Sequence, residues 1–444
     1  MNRLLIILFF YPFVIFGQIE QLNWGSYTTI SSNIEGYGRP RIVLTANDDP
    51  LIIWRKDASP KVLRASKWNG NTFSAPYDIL SPGIIPASWD GPEIAAKGDT
   101  VYIVFTSSAT TTTSIMLIRS FDGGLSFSDT IRVSENNSNH KFRMSNVMVK
   151  PDGNPVVSYM QYLLNWMEPK QMVTTSFNYG DSFIMPTEAS AIAPGEPCDC
   201  CKSSLVVSSV DDIFLLFRNN HNNERNSYIS KSVDGGNSFT ITEDMDDYDW
   251  VLNSCPATTP RGIVMNDSLV IVKRSGATGN NEIVCSSIHI NDLNYSYNRN
   301  IDFINGVEQD YPEISGNQDT VVVVWQDNRN GFQNCYMSLS TNGAFNLNSS
   351  ISFTDSTSIG YKYDPDVAYA NRDIHLVYLD YTQYKIVYVK ASFDMINEAQ
   401  NLLPQEKKIT RVFDMLGRNL NNKNNQILFY IKEDGTVKKQ MVVK

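Results

Sequence analysis

The sequence predicts an all-β chain: a β-propeller of four-stranded blades, seven in number, followed by a small C-terminal β mini-domain. Three observations carry that expectation. Short apolar runs recur with turn residues between them, and no long segment shows a 3.6-residue period. A unit repeats roughly every 50–60 residues. One turn motif recurs in register within those units.

The repeat is anchored at Pro40, Pro92, Asn146, Ser204, Gly262, Pro312 and Pro365, each with an apolar residue two places on. A second strand follows a polar turn: Leu51–Trp54, Val101–Phe105, Val156–Tyr159, Ile213–Phe217, Leu269–Val272, Val321–Trp325 and Ile374–Tyr378. In six of the seven units an aromatic residue closes this strand 13 or 14 places after the anchor, as inter-blade core. Small twisted sheets bury both faces only by stacking, and radial stacking also shortens exposed edges, which is the propeller solution. The last unit has three clear strands, so the stretch Gln21–Ser31 is expected to supply its fourth and close the ring. A six-bladed ring with one unit set aside is the alternative.

After the third strand, Ser120, Asp122, Gly124 and Phe127, and again Ser232, Asp234, Gly236 and Phe239, fit SxDxGx[ST][FW]. Ser176–Phe183 fits with Asn178 in the acidic place, and Ser66–Phe73 with Trp68 there. Asp or Asn draws its own backbone into a tight turn, Gly supplies positive φ, and the aromatic ring packs back between sheets. These turns lie 26–30 residues after their anchors, at one place in each blade. The pattern resembles the Asp-box (BNR) repeat of the sialidase-like superfamily over roughly residues 21–402. The resemblance implies Asp-boxes on the face opposite the functional one, with a structural role.

The ends differ in character. Arg3 precedes the apolar run Leu4–Phe10, and a small residue, Gly17, closes the segment, which reads as a signal peptide over 1–17. The propeller is expected over 18–402. Residues 403–444 change composition and read as a mini-sheet with an Asp434-Gly435 hairpin turn. Their segments Asp414–Arg418 and Asp434–Lys439 resemble the C-terminal sorting domain of the type IX secretion system of Bacteroidetes. That resemblance implies an export-machinery partner and a secreted or cell-surface location. The mature protein is expected to have no membrane span. The 444 residues carry a net charge of −10, which disfavours nucleic acid and anionic lipid. There are 4 His without an HExxH arrangement, and neither a phosphate-binding GxxxxGK[ST] nor a GxSxG elbow occurs. No cofactor is expected.

Function in such a scaffold gathers on the face carrying the blade entries and the loops from strand two to strand three. The sialidase resemblance implies a three-arginine clamp for a carboxylate, an acid, and a tyrosine activated by a glutamate. Arg41, Arg143 and Arg261 are the clamp candidates, Asp90 the acid, and Tyr311 with Glu313 the nucleophile pair. Arg41-Ile42 is similar to the family's Arg-Ile-Pro signature, with Val43 where Pro belongs. Arg218, Arg274, Asp327, Trp89 and Trp250 are binding candidates on the same face, Trp166 being another loop tryptophan. The competing reading pairs these arginines with blade carboxylates. It leads to the first functional expectation, a binder of a glycan or cell-surface protein without turnover. An exo-acting glycoside hydrolase is the alternative. Cys198, Cys200, Cys201 and Cys255 enter units four and five. They are expected to form two disulfides, with a soft-metal site as the other reading. Cys285 and Cys335 read as free buried thiols.

Overall fold

A computed structural model describes residues 19–395 apart from 33, 35, 36, 58, 81–84, 88, 89, 109–112, 344–346 and 348. In the C-terminal stretch it describes 409–413, 418, 426–432 and 437–442. The leader, Trp89 and the Asp434-Gly435 turn therefore lie outside the described residues. The chain divides into two compact units, one of them Ile19–Asp394. The other contains a three-stranded antiparallel sheet of Ile409–Phe413, Gln426–Lys432 and Val437–Val442.

The larger unit is a seven-bladed propeller. Its blades begin at Arg41, Glu93, His140, Ser204, Arg261, Gln309 and Lys362, and each pairs its strands in sequence order. The first strands touch their neighbours around the ring, and the seventh touches the first. The seventh blade, Lys362–Ala370, Asp373–Asp380 and Lys385–Met395, takes its outer edge from Ile19–Trp24 and Thr28–Ser31. The ends of the propeller are thus stitched together by backbone hydrogen bonds, and there are seven blades rather than six.

Side-chain alternation explains why the blades stack. Along the second strand of blade two, Val101, Ile103 and Phe105 enter the core shared with blade one. Tyr102 and Val104, on the opposite face, enter the core shared with blade three. The strand-closing aromatics Trp54, Phe105, Tyr159, Phe217, Trp325 and Tyr378 are all buried. In blade six the whole strand Val321–Asp327 is buried: Val321–Trp325 is an uninterrupted apolar run covered on both sides, and Gln326 and Asp327 follow it into the interior.

The recurrent turns lock the face where strands one and two also meet. The Ser120 hydroxyl donates to Asp122, and the Gly124 amide donates to Ser120 Oγ at 2.8 Å. The Ser126 amide and hydroxyl both donate to Asp122, at 2.9 and 2.6 Å. Ser232, Asp234, Gly236 and Ser238 repeat the pattern, and Ser176, Asn178, Gly180 and Ser182 make a version with an amide. Gly124 has φ +91°, and a Cβ there would stand 2.7 Å from the Leu51 side chain of blade one. The turn therefore needs glycine twice over, for its backbone and for the blade contact. Phe239 is buried in the core between blades three and four, and Phe127 packs on that between blades one and two.

Candidate functional site

The site begins in backbone irregularities. The first strands of blades three, six and seven each shift register against their second strand, between Arg143 and Asn146, Asp310 and Glu313, and Tyr363 and Asp366. Inside these bulges Met144, Tyr311 and Asp364 take φ of 61°, 50° and 50°, and Arg39 takes 49° at the entry to blade one. A bulge re-aims side chains, and non-glycine residues at positive φ concentrate at functional sites. Here the irregularities surround one end of the axis. They open a cavity of about 120 Å³ lined by Arg39, Arg41, Asp90, Lys202, Arg261, Tyr311 and Glu313, among others.

A layer of charge closes its floor. Arg261 Nη2 lies 3.1 Å from Glu93 Oε1 and 2.9 Å from Glu313 Oε1. Arg41 Nη2 meets the same two carboxylates at 3.4 and 3.5 Å. Lys202 bridges Glu93 and Asp90, both at 3.0 Å. Asp90 also accepts from the Thr106 hydroxyl at 2.6 Å and from the Met144 amide. Burial opposes the charge on Glu93, but Arg261, Arg41 and Lys202 together hold its carboxyl well below the usual range. Burial dominates at Glu313 and, against the pull of Arg261 and Arg41, pushes it up to about 7, with Asp366 and Glu93 adding to the rise. Two carboxylates on the same two guanidinium groups thus sit on opposite sides of the ordinary value. Tyr311 is pushed up to about 12, chiefly by burial, while Arg39 draws it down through a hydrogen bond and its charge.

Arg41, Arg261, Asp90, Tyr311 and Glu313 thus meet at one place. Arg143 does not join them: its Nε donates to the Tyr162 hydroxyl at 3.1 Å, its Nη2 donates to the Asp199 carbonyl, and its guanidinium lies over Tyr162 and Trp166. The binding candidates on blades four to six are structural. Arg218 is fully buried and donates to the carbonyls of Arg225 and Arg274. Trp250 is 5% exposed, with the guanidinium groups of Arg218 and Arg274 4.9 and 5.6 Å from its ring centre. That cation–π packing leaves no face for a ligand. Arg274 is tied to Asp310 at 2.7 Å, and Asp327 is buried under Trp325 Nε1 and Arg329.

Glu93, Lys202, Arg39 and Asp366 were missed. A signal existed for two of them. The residue directly after the anchor is Arg41, Glu93, Glu313 and Asp366 in units one, two, six and seven, and apolar in the other three. These four charged residues all line the axis.

An aromatic cluster adjoins the cavity. Arg39 lies 5.8 Å from the Tyr37 ring centre and 5.9 Å from that of Tyr311. Tyr37 stacks on Tyr381 at 5.2 Å, and Tyr361 stacks on Tyr363 at 6.0 Å with an interplanar angle of 7°. Phe332 meets Tyr361 edge-on, and Tyr384 leans on Tyr381. Tyr37, Tyr361, Tyr384 and Phe332 are each more than two-fifths exposed.

On the other side of the cavity, Cys200 and Cys255 form a disulfide joining the entries of blades four and five. Cys198 and Cys201 are free and buried rather than forming the expected second bridge, with their sulfurs 3.2 Å apart. The Cys201 thiol hydrogen bond, against burial, draws Cys198 down to about 7, and the Cys200 amide, Arg225 and Arg218 add to it. Cys285 and Cys335 are free and buried, and burial pushes Cys285 up to about 12.

No protein-family model matches the sequence. No curated protein matches it either. Among solved structures, the chain is similar to a protein of unknown function from Dyadobacter fermentans, at 11% identity over 85% of this chain and 100% of that one, with a TM-score of 0.50. It is also similar to a Hadza microbial sialidase at 13% identity, covering 81% of this chain and 66% of that one, TM-score 0.46. A Trypanosoma rangeli sialidase in complex with the inhibitor DANA matches at 10% identity over 87% of this chain and 61% of that one, TM-score 0.46. The chain therefore spans about two thirds or less of the length of these two sialidases. At such identities the likeness concerns the fold.

Proposed function

We propose that the propeller binds the terminal sugar of a glycan at the open end of its axis and does not hydrolyse it. The observation that carries this reading is the continuity, through Arg39, of a polar cavity with an exposed platform of stacked aromatics. The cavity offers donors and acceptors for sugar hydroxyls, and the rings offer flat apolar faces to the C–H faces of the next sugars. Turnover of the sialidase type needs guanidinium groups free for a substrate carboxylate. Arg41 and Arg261 are instead closed onto Glu93 and Glu313. A cell-surface protein would be recognised through the sugar it carries.

The experiment is a glycan array on the purified full chain, followed by calorimetry on the best ligand. Tyr37→Ala with Tyr361→Ala, both exposed rings, is expected to weaken binding at least tenfold while leaving the thermal midpoint nearly unchanged. Binding unaffected by that pair would remove the platform from the proposal.

A second reading, exo-acting hydrolysis of a terminal sugar, has its own support. Asp90, Tyr311 and Glu313 share one cavity with three arginines, and a carboxyl near 7 both takes and gives a proton. Glu313 would then serve as base to Tyr311. Release of a fluorogenic aglycone from a sialoside, abolished by Tyr311→Phe, would replace the binding-only reading with this one.

Export belongs to the same proposal: removal of residues 1–17 and recognition of 403–444 by type IX machinery would deliver the propeller to the cell surface or beyond. The leader pattern and the resemblance of the tail support it. Deleting residues 405–444 is expected to trap a folded propeller in the periplasm. Normal surface delivery of the truncated chain would defeat this part.

A further inference from the structure

The four cysteines at the entries of blades four and five make a tighter group than one disulfide needs. Cys198 Sγ lies 3.6 Å from Cys200 Sγ and 3.2 Å from Cys201 Sγ, and all four sulfurs lie within 4.8 Å of one another. Four thiolates around one ion at a Zn–S distance of about 2.3 Å stand about 3.8 Å apart, within the span of these separations. Two segments contribute: the turn Cys198–Cys201, closed by the Cys201 amide on the Cys198 carbonyl at 3.1 Å, and Cys255 some fifty residues on.

Cationic and N–H groups face two of the four sulfurs. Arg225 Nη1 points at Cys198 Sγ from 3.5 Å, and Arg218 lies close enough to act on both Cys198 and Cys201. The backbone amides of Cys200 and Thr258 donate to the sulfurs of Cys198 and Cys201. A divalent ion with four thiolates carries a net charge of −2, which the two buried guanidinium groups offset; a monovalent ion would leave −3.

We propose that Cys198, Cys200, Cys201 and Cys255 are the ligands of a Zn²⁺ site in the reduced chain, and that the Cys200–Cys255 disulfide is its metal-free, oxidised state. The change of state is a two-electron exchange with a dithiol. One thiolate of the dithiol attacks a sulfur of the bridge and expels the other as a thiolate. The second dithiol sulfur then closes its own disulfide, leaving Cys200 and Cys255 reduced. Zn²⁺ replaces the thiol protons, so binding weakens as pH falls.

The test uses the full chain, reduced with a dithiol, desalted under nitrogen and checked for folding by circular dichroism. Titration with Co²⁺ is expected to give one equivalent of a tetrahedral thiolate complex, seen by its charge-transfer and d–d bands, and Zn²⁺ is expected to displace it. Cys198→Ser and the more exposed Cys255→Ser should each weaken binding at least a hundredfold, whereas Cys335→Ser on blade six should not. The air-oxidised chain should take up no metal. A folded, reduced chain that binds no stoichiometric Co²⁺ would overturn the proposal, as would binding undiminished in folded Cys198→Ser. Uptake of Cu⁺ without Zn²⁺ would overturn the divalent assignment.

Discussion

The same first strands line both ends of the propeller axis, yet the two ends present different side chains. At one end the strands bulge, place Tyr311 and Asp364 at positive φ, and enclose a small cavity floored by paired charges. At the other the strands are regular and line a wider opening of about 390 Å³ with residues such as Ile42, Ala95, Met148, Ile314 and Val367. The side chains lining the wider opening are mostly apolar, Lys97, Ser315 and Tyr369 apart, so few of them can orient a ligand. The narrow one has convergent polar groups held by partners on separate blades. Recognition depends on such fixed groups more than on volume, so the smaller cavity is the better site.

The contrast is broken most severely by removing one buried charge. Arg261→Ala would leave Glu93 and Glu313 short of one of the two guanidinium groups they share and is expected to cost about 3–5 kcal/mol in urea unfolding. A loss near zero would mean that the charged floor is solvated rather than buried. Next comes the turn face, remote from binding in this account. Asp122→Ala should lower stability by about 1–2 kcal/mol through lost turn hydrogen bonds, with glycan affinity unchanged. Selective loss of affinity in that folded variant would contradict a purely structural turn. Ile314→Val, near the apolar end, should cost about 0.5–1.5 kcal/mol and leave binding intact, as calorimetry on the variant would verify.

The last test is a slope with pH rather than a fixed loss. Glu313 is held near 7, above its unfolded value of about 4.5, so between these values the folded chain keeps a proton that the unfolded chain has lost. Its contribution therefore falls as pH rises through that window and is level above about 7. Glu93 acts in the opposite sense: its stabilisation is present above the unfolded value and is lost as pH falls towards its depressed folded value. Glu313→Gln should flatten the decline across about 4.5 to about 7, read from urea midpoints at several pH values. Burial also raises Asp310, to about 6, so part of the decline should persist in the variant, but a wholly unchanged slope would show that Glu313 does not titrate there.

Arginine shows how far a sequence reading reaches. Arg41 and Arg261 were identifiable because they flank repeat anchors, and both face the axis. Arg143 flanks an anchor as well, but its position in the bulge of blade three directs it to Tyr162 and the Asp199 carbonyl. Arg218 and Arg274 lie on the predicted face and are consumed in packing Trp250. Nothing in the local sequence separates a guanidinium that reaches the axis from one that supports a neighbouring loop.

Repeat spacing, alternation and turn chemistry are local, and they were sufficient for seven blades, the strand-closing aromatics, the serine–aspartate turns and the closing strand from the N-terminus. Tyr311, Glu313 and Asp90 could also be named, because they sit at blade entries. Tertiary structure alone decided that Arg261 shares Glu93 across 168 residues of chain, that Lys202 joins them, and that Arg39 links the cavity to Tyr37. It also chose which two of four clustered cysteines are bonded. The physical reason is that the axis is common to units some fifty residues or more apart. A blade specifies its own strands through neighbours in the chain, while the charge state, partner and direction of a side chain at the axis are set by what the other six blades place opposite it.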